Sequence, residues 1–154
     1  MIQGPEVKGN PLRIAVALLV ISFLFGEFVL PKYHLIYAFK IIGVLGLIGS
    51  VAIFFSSFSL FKNYKEDPTP SSDTKRLIKT GIFAYTRNPI YLSFVAFHLS
   101  MFLIFENVMY FLSSIGLSIW LHNYVIKAEE KFLLNNFPEE FERYMKTVKR
   151  WIFF

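Results

Sequence analysis

The 154 residues predict an all-α integral membrane protein: about four transmembrane helices, both termini cytoplasmic, and a C-terminal amphipathic interfacial helix. Three observations carry that prediction. The chain is 55% hydrophobic, 19% aromatic and only 18% charged, where soluble domains carry about a quarter charged residues. A chain of this length has room for one domain, and one water-soluble core cannot hide 19 Phe, 8 Tyr and 2 Trp. Apolar runs also recur at the length that crosses roughly 30 Å of hydrocarbon, about 20 residues at about 1.5 Å each. The mean hydropathy of +0.48 agrees. The absence of cysteine excludes a disulfide scaffold and a cysteine-ligated metal site.

The spans follow in order within a single membrane domain over 1–154. The first covers about 12–30 and stops at Pro31. Lys8 and Arg13 precede it as in a signal peptide, but the run is too long and no small-residue cleavage pattern follows, so it reads as a retained span. The second covers about 35–61, long enough to tilt or to project beyond the bilayer. Its Gly43, Gly46 and Gly49 form a small-residue stripe suited to close helix packing. The third, about 90–105, is short. The fourth covers about 107–126, and only Glu106 and Asn107 separate the two, which predicts a tight antiparallel hairpin.

Basic residues set the orientation. The N-terminus, the 62–89 loop and the 127–154 tail together carry 14 of the 16 Lys and Arg residues. The other side has Lys32, joined by Lys40 just inside the second span. Both termini, the loop and the tail are therefore expected on the cytoplasmic side, of a prokaryotic inner membrane on the plainest reading. The basic excess reads as topology and contact with anionic lipid, with no nucleic-acid partner.

Polar chemistry concentrates in that loop and tail. The loop opens with Asp67-Pro68-Thr69-Pro70, an extended or turning surface segment. The stretch from Arg76 to Leu92 leads into the third span, with Pro89 in the first helical turn and Asn88 at the N-cap. The free N–H groups of that helix end suit an anionic group. In the tail, His122 and Glu129 are seven apart on one helix face, with Glu130 close to the same stripe. The segment around Phe137 to Lys146 is amphipathic, and Trp151-Ile152-Phe153-Phe154 is expected to return to the headgroup region. Glu129 and Glu130 alone also fit a solvated helix face. Glu27, late in the first span, fits either an interfacial position or a polar contact inside the bundle. His34 is expected in a loop, and His98 mid-span, bonded to a neighbouring helix. No two histidines have ligand spacing, so no metal site is expected.

The run Asp67-Pro68-Thr69-Pro70, then Leu77-Ile78-Lys79-Thr80-Gly81-Ile82-Phe83-Ala84-Tyr85-Thr86-Arg87-Asn88-Pro89-Ile90-Tyr91-Leu92, resembles the signature of the isoprenylcysteine carboxyl methyltransferases. That family belongs with the membrane phospholipid methyltransferases. The tail is similar as well, through Glu129-Glu130, Phe137, Phe141, Tyr144 and Val148-Lys149-Arg150-Trp151. Together the matches span about 65–152.

The resemblance implies an integral membrane enzyme that uses S-adenosylmethionine at the cytoplasmic face and acts on a lipophilic carboxylate, thiol or amine. Carried over, it implies one cofactor wall of Tyr85, Arg87, Asn88, Pro89, Tyr91 and Leu92, and another of His122, Glu129 and Glu130. Glutamates suit the cofactor's ammonium or ribose, Arg87 and helix N–H groups its carboxylate, and tyrosine faces its sulfonium. Many members have His where this chain has Asn88. The prenylcysteine enzymes carry an arginine shortly before the glutamate pair, where this chain has only Lys127; Arg143 and Arg150 are the candidates to replace it. An NADPH-dependent membrane reductase shares a similar Arg-Asn-Pro-x-Tyr segment, and a non-catalytic membrane module with the same fold is the third reading.

Overall fold

The computed structural model describes residues 4–30, 34–70, 72 and 74–152. Pro31, Lys32, Phe153 and Phe154, to which the sequence assigned roles, lie outside them. Six α-helices follow one another: α1 Pro11–Phe28, α2 Tyr37–Tyr64, α3 Pro89–Phe105, α4 Val108–Leu121, α5 Lys127–Asn136 and α6 Pro138–Thr147. No strand occurs among the described residues. Each of the four segments read as a span thus contains an α-helix, with its ends moved by a few residues. α1 and α2 are long and apolar enough to cross a membrane, and α3 is apolar over 17 residues.

Each helix starts and stops for a local reason. Asn10 caps α1 by accepting from the Arg13 N–H at 3.1 Å, with Pro11 in the first turn. Asn107 caps α4 by accepting from the Met109 N–H at 2.9 Å. Between α3 and α4, Glu106 adopts the left-handed conformation (φ 58°) that ends one helix and allows the hairpin predicted there. α2 has 28 residues, about 42 Å at 1.5 Å per residue, against a hydrocarbon core of about 30 Å. Its last turns carry Phe61 against Phe83 (5.7 Å between ring centroids) and Tyr64 hydrogen-bonded to Thr80 (2.9 Å). A 3₁₀ turn, Gly81–Ala84, is thereby held onto the end of α2.

The helices pack in the order α2, α3, α4, α1. Close approach of α2 to α3 uses Gly43 and Gly46: a Cβ on Gly43 comes within 2.9 Å of Leu103 and Ile104, and one on Gly46 within 2.6 Å of Ser100. Gly49, the third member of the stripe, meets nothing within 4 Å. α1 is locked to the start of α4 by Asn107, whose Nδ2 donates to the Ser22 carbonyl (3.2 Å) over Gly26. On the same side Glu106 accepts from the Leu35 N–H (2.8 Å) and pairs with Lys40 (3.3 Å), which ties the start of α2 to the hairpin. His34 lies 3.7 Å from the same carboxylate, and its ring is exposed. His98 is buried, hydrogen-bonds its own helix through Phe94 O (2.8 Å) and also meets the Ala15 backbone of the neighbouring α1. Leu12, Val16, Phe23, Ile48, Phe55 and many similar side chains point outward. So continuous an apolar surface belongs in lipid.

Two further features shape the opposite end. A π-helical segment, His122–Ile126, joins α4 to α5 without a break. It delays the helix by one residue, so the buried line Leu117, Leu121, Val125 continues through Ile126 to Glu130. α6 is amphipathic as expected, but its apolar face is already used. Phe141, Tyr144 and Val148 pack with Leu77, Leu133, Leu134 and Phe137, and Phe141 is 1% exposed. The predicted interfacial helix is therefore a wall of the fold.

Candidate functional site

The sequence motif leading into α3 and the tail following α6 are stapled together. The Arg87 backbone N–H donates to Lys149 O (3.0 Å). Its guanidinium donates through one terminal nitrogen to Met145 O and Val148 O (3.2 and 3.0 Å), and through the other to Glu130 (2.8 Å). A cation is favourable at these carbonyls, since they belong to the unpaired C-terminal end of α6. Thr86 Oγ1 and Asn88 Nδ2 both donate to Arg150 O (3.1 and 2.9 Å). Asn88 thus occupies the N-cap position of α3 without capping it: its side chain fixes the tail instead. Arg150 closes the arrangement by pairing with Glu130, which strengthens its hold on its proton. The Tyr144 hydroxyl donates to Phe83 O at 2.6 Å, and burial raises its pKa.

Beside this staple lies a cavity open to solvent, about 860 Å³ when its open mouth is counted in. Arg87, Asn88, Pro89, Tyr91, Glu129 and Glu130, six of the residues that the resemblance assigns to a cofactor, line it. Ile78, Phe83, Leu133 and Phe141 give it apolar walls, and Asp67, Pro68, Thr69 and Pro70 reach over its rim. The two glutamates differ. Glu130 is buried between Arg87 and Arg150. Glu129 accepts one hydrogen bond, from the Tyr91 hydroxyl at 2.7 Å. Burial pushes the Glu129 carboxyl up to about 8, with the Tyr91 bond pulling the other way and the charge of Glu130 adding to the rise. Asp67 is held below its ordinary value by Thr69, whose N–H it accepts at 2.8 Å.

Not every expected residue arrives. Tyr85 is 75% exposed and lies away from the cavity. Leu92 turns into the core beside Leu117 and Leu121, and His122 stays on the π segment outside the lining. The backbone explains all three: the 3₁₀ turn directs Tyr85 outward, helical phase turns Leu92 to the core, and the π turn moves the inward line from Leu121 and Val125 to Ile126 and Glu130, with His122 beside it. Arg143 is exposed and faces only Glu139 on its own helix. Arg150 stands behind Glu130. Among the described residues no cluster of His, Asp or Glu suits a metal. Arg76 and Pro5 line the cavity without having been singled out. Arg76 sits at the edge of the motif, where sequence gave no reason to separate it from the other loop cations.

An apolar cleft opens between α1 and α2 over α3, lined by Leu12, Val16, Leu19, Val51, Phe54 and Phe97 among others. A shallower depression shares Leu12, Phe54 and Phe94 with that cleft, and Pro68, Pro70, Ile90 and Tyr91 with the Glu129 cavity. Apolar surface therefore runs from the cavity to the outer face of the bundle.

The model of one protein family, described as phospholipid methyltransferase, matches residues 38–140. That span includes α2, the loop motif, the α3–α4 hairpin and both glutamates. No curated protein matches the chain.

Proposed function

Because the chain belongs to the phospholipid methyltransferase family, we propose that it moves a methyl group from S-adenosylmethionine to the amine of a lipophilic acceptor at the cytoplasmic membrane face. Membership favours methyl transfer over the reductase reading. The observation that carries the rest is the Glu129 carboxyl, held by the Tyr91 hydroxyl at 2.7 Å inside a largely apolar cavity whose burial pushes it up to about 8. S-adenosylmethionine supplies an electrophilic methyl on a sulfonium. The residues fit it: in Glu129 a carboxyl that can bond its ribose hydroxyls, apolar walls, and a tyrosine hydroxyl that holds that carboxyl in place.

An amine is protonated at neutral pH and must lose that proton before its lone pair can attack. A base with a pKa near the working pH does this best. Glu129 is such a base, and Tyr91 fixes its orientation. A carboxylate acceptor needs no base and would be repelled by Glu129 in its charged form. Ile78, Phe83, Leu133 and Phe141 keep water from the reacting atoms. The apolar run toward the α1–α2 cleft gives the acceptor's chain a way in from the bilayer.

The test uses wild-type and Glu129→Gln protein in nanodiscs with methyl-labelled S-adenosylmethionine and an aminophospholipid. Wild type is expected to place label in the lipid amine, with a rate that rises with pH and levels off above about pH 8. The variant is expected to lose about a hundredfold or more, the usual range for a general base. Label appearing only in base-labile methyl esters, with the variant as active as wild type, overturns the amine reading. An inactive, folded wild-type protein would favour the non-catalytic module.

A further inference from the structure

We infer that Arg76 receives an oxyanion at the mouth of the Glu129 cavity, so that the site takes a ligand with its cation inward and its anion at the rim. The inference rests on the methyl transfer proposed above. Two arginines line the cavity. Arg87 is committed: its terminal nitrogens serve Met145 O, Val148 O and Glu130. Arg76 is not. Among the described residues its one partner is Glu66, whose carboxylate lies 3.5 Å from Nε, and the Arg76 side chain is 62% exposed. A guanidinium carries five N–H donors, so the two terminal nitrogens remain available at the rim.

Its position is fixed by more than that contact. Glu66 directly follows the left-handed Lys65 that ends α2, and its side chain is 3% exposed. Its carboxylate also accepts the Lys75 backbone N–H at 3.0 Å. Glu66 thus closes the base of the loop and meets Arg76 at Nε, which leaves both terminal nitrogens for a carboxylate or phosphate. Among the described residues no carboxylate other than that of Glu66 pairs with Arg76: Asp67 accepts from the Thr69 N–H, and Glu140 pairs with Lys79. Two groups share the required chemistry: the carboxylate of S-adenosylmethionine and the phosphodiester of an acceptor headgroup. Each belongs to a molecule that also carries a cation for Glu129.

The test compares wild type, Arg76→Gln, Arg76→Lys and Glu66→Gln in nanodiscs. Binding is measured for S-adenosylmethionine and its decarboxylated analogue, and methylation for dihexanoyl phosphatidylethanolamine and a phosphate-free long-chain alkylamine. Losing a charge-assisted bond predicts a loss of about tenfold or more for one anion-bearing probe in Arg76→Gln. Its anion-free counterpart should be unchanged, and Arg76→Lys and Glu66→Gln should fall between. A loss on the cofactor pair assigns the carboxylate, and a loss on the acceptor pair assigns the phosphodiester. Equal losses with and without the anion, or values within twofold of wild type for all four probes, overturn the role of Arg76 and leave the methyltransferase reading standing. A folded wild-type protein that neither binds the cofactor nor methylates overturns both.

Discussion

Adjacent in sequence, Glu129 and Glu130 meet different neighbours. Glu130 lies buried between two guanidinium groups, and breaking such a cluster by removing one partner costs about 3–5 kcal/mol. Glu130→Gln should therefore lower the unfolding temperature sharply in detergent or nanodiscs, whatever it does to ligand binding. Glu129 should behave in the opposite way. Its carboxyl stays protonated in the fold up to about pH 8, while the unfolded chain ionises it near 4.3. The unfolded state then holds fewer protons between those values, so stability falls as pH rises through that window. Glu129→Gln should remove this slope: its melting temperature should exceed that of wild type by more at pH 8 than at pH 5. An unchanged difference would contradict the burial assigned to Glu129. The family resemblance brought both glutamates to the site but did not separate them, because the arginines that claim Glu130 lie 43 residues before it and 20 after it. Arg87 and Asn88 were legible as important for the same motif. Their work on tail carbonyls was not, since a carbonyl partner leaves no mark in sequence.

Helix lengths were the most legible features, because hydrocarbon thickness acts locally; the one cap read from the sequence, Asn88, bonds the tail instead. The glycine stripe on α2 was legible in part, and it divides along its length. Gly43→Leu drives a side chain into Leu103 and Ile104, and overpacking of this kind typically costs about 1–3 kcal/mol. Gly49→Leu meets open space and should be close to neutral. Thermal unfolding of the two variants checks this, and equal losses would contradict the α2–α3 contact described. The π segment had no sequence signal, since one added residue in a turn changes neither composition nor hydropathy. It nonetheless decides that Glu130 rather than Glu129 continues the buried line of α4. α6 shows the converse. Its amphipathic pattern was plain, but a pattern cannot say whether lipid or protein covers the apolar face, and here Leu77, Leu133 and Phe137 do.

Across the whole molecule, the loop motif, the tail and 14 of the 16 basic residues gather at one end of the bundle. We propose four spans with that end in the cytoplasm. The chain has no cysteine, so single cysteines can be introduced at exposed sites without background. In intact cells, a membrane-impermeant maleimide should label His34→Cys and spare Lys65→Cys and Lys149→Cys until the membrane is opened; the reverse pattern would invert the topology. The measurement that tests the central claim most directly is equilibrium binding of S-adenosylmethionine to the purified protein in nanodiscs, beside Glu129→Gln. Saturable binding that S-adenosylhomocysteine displaces, and that the variant weakens by about tenfold or more as expected for a lost charge-assisted bond, is the predicted result. A folded wild-type protein that binds neither compound, with or without added aminophospholipid, would contradict it.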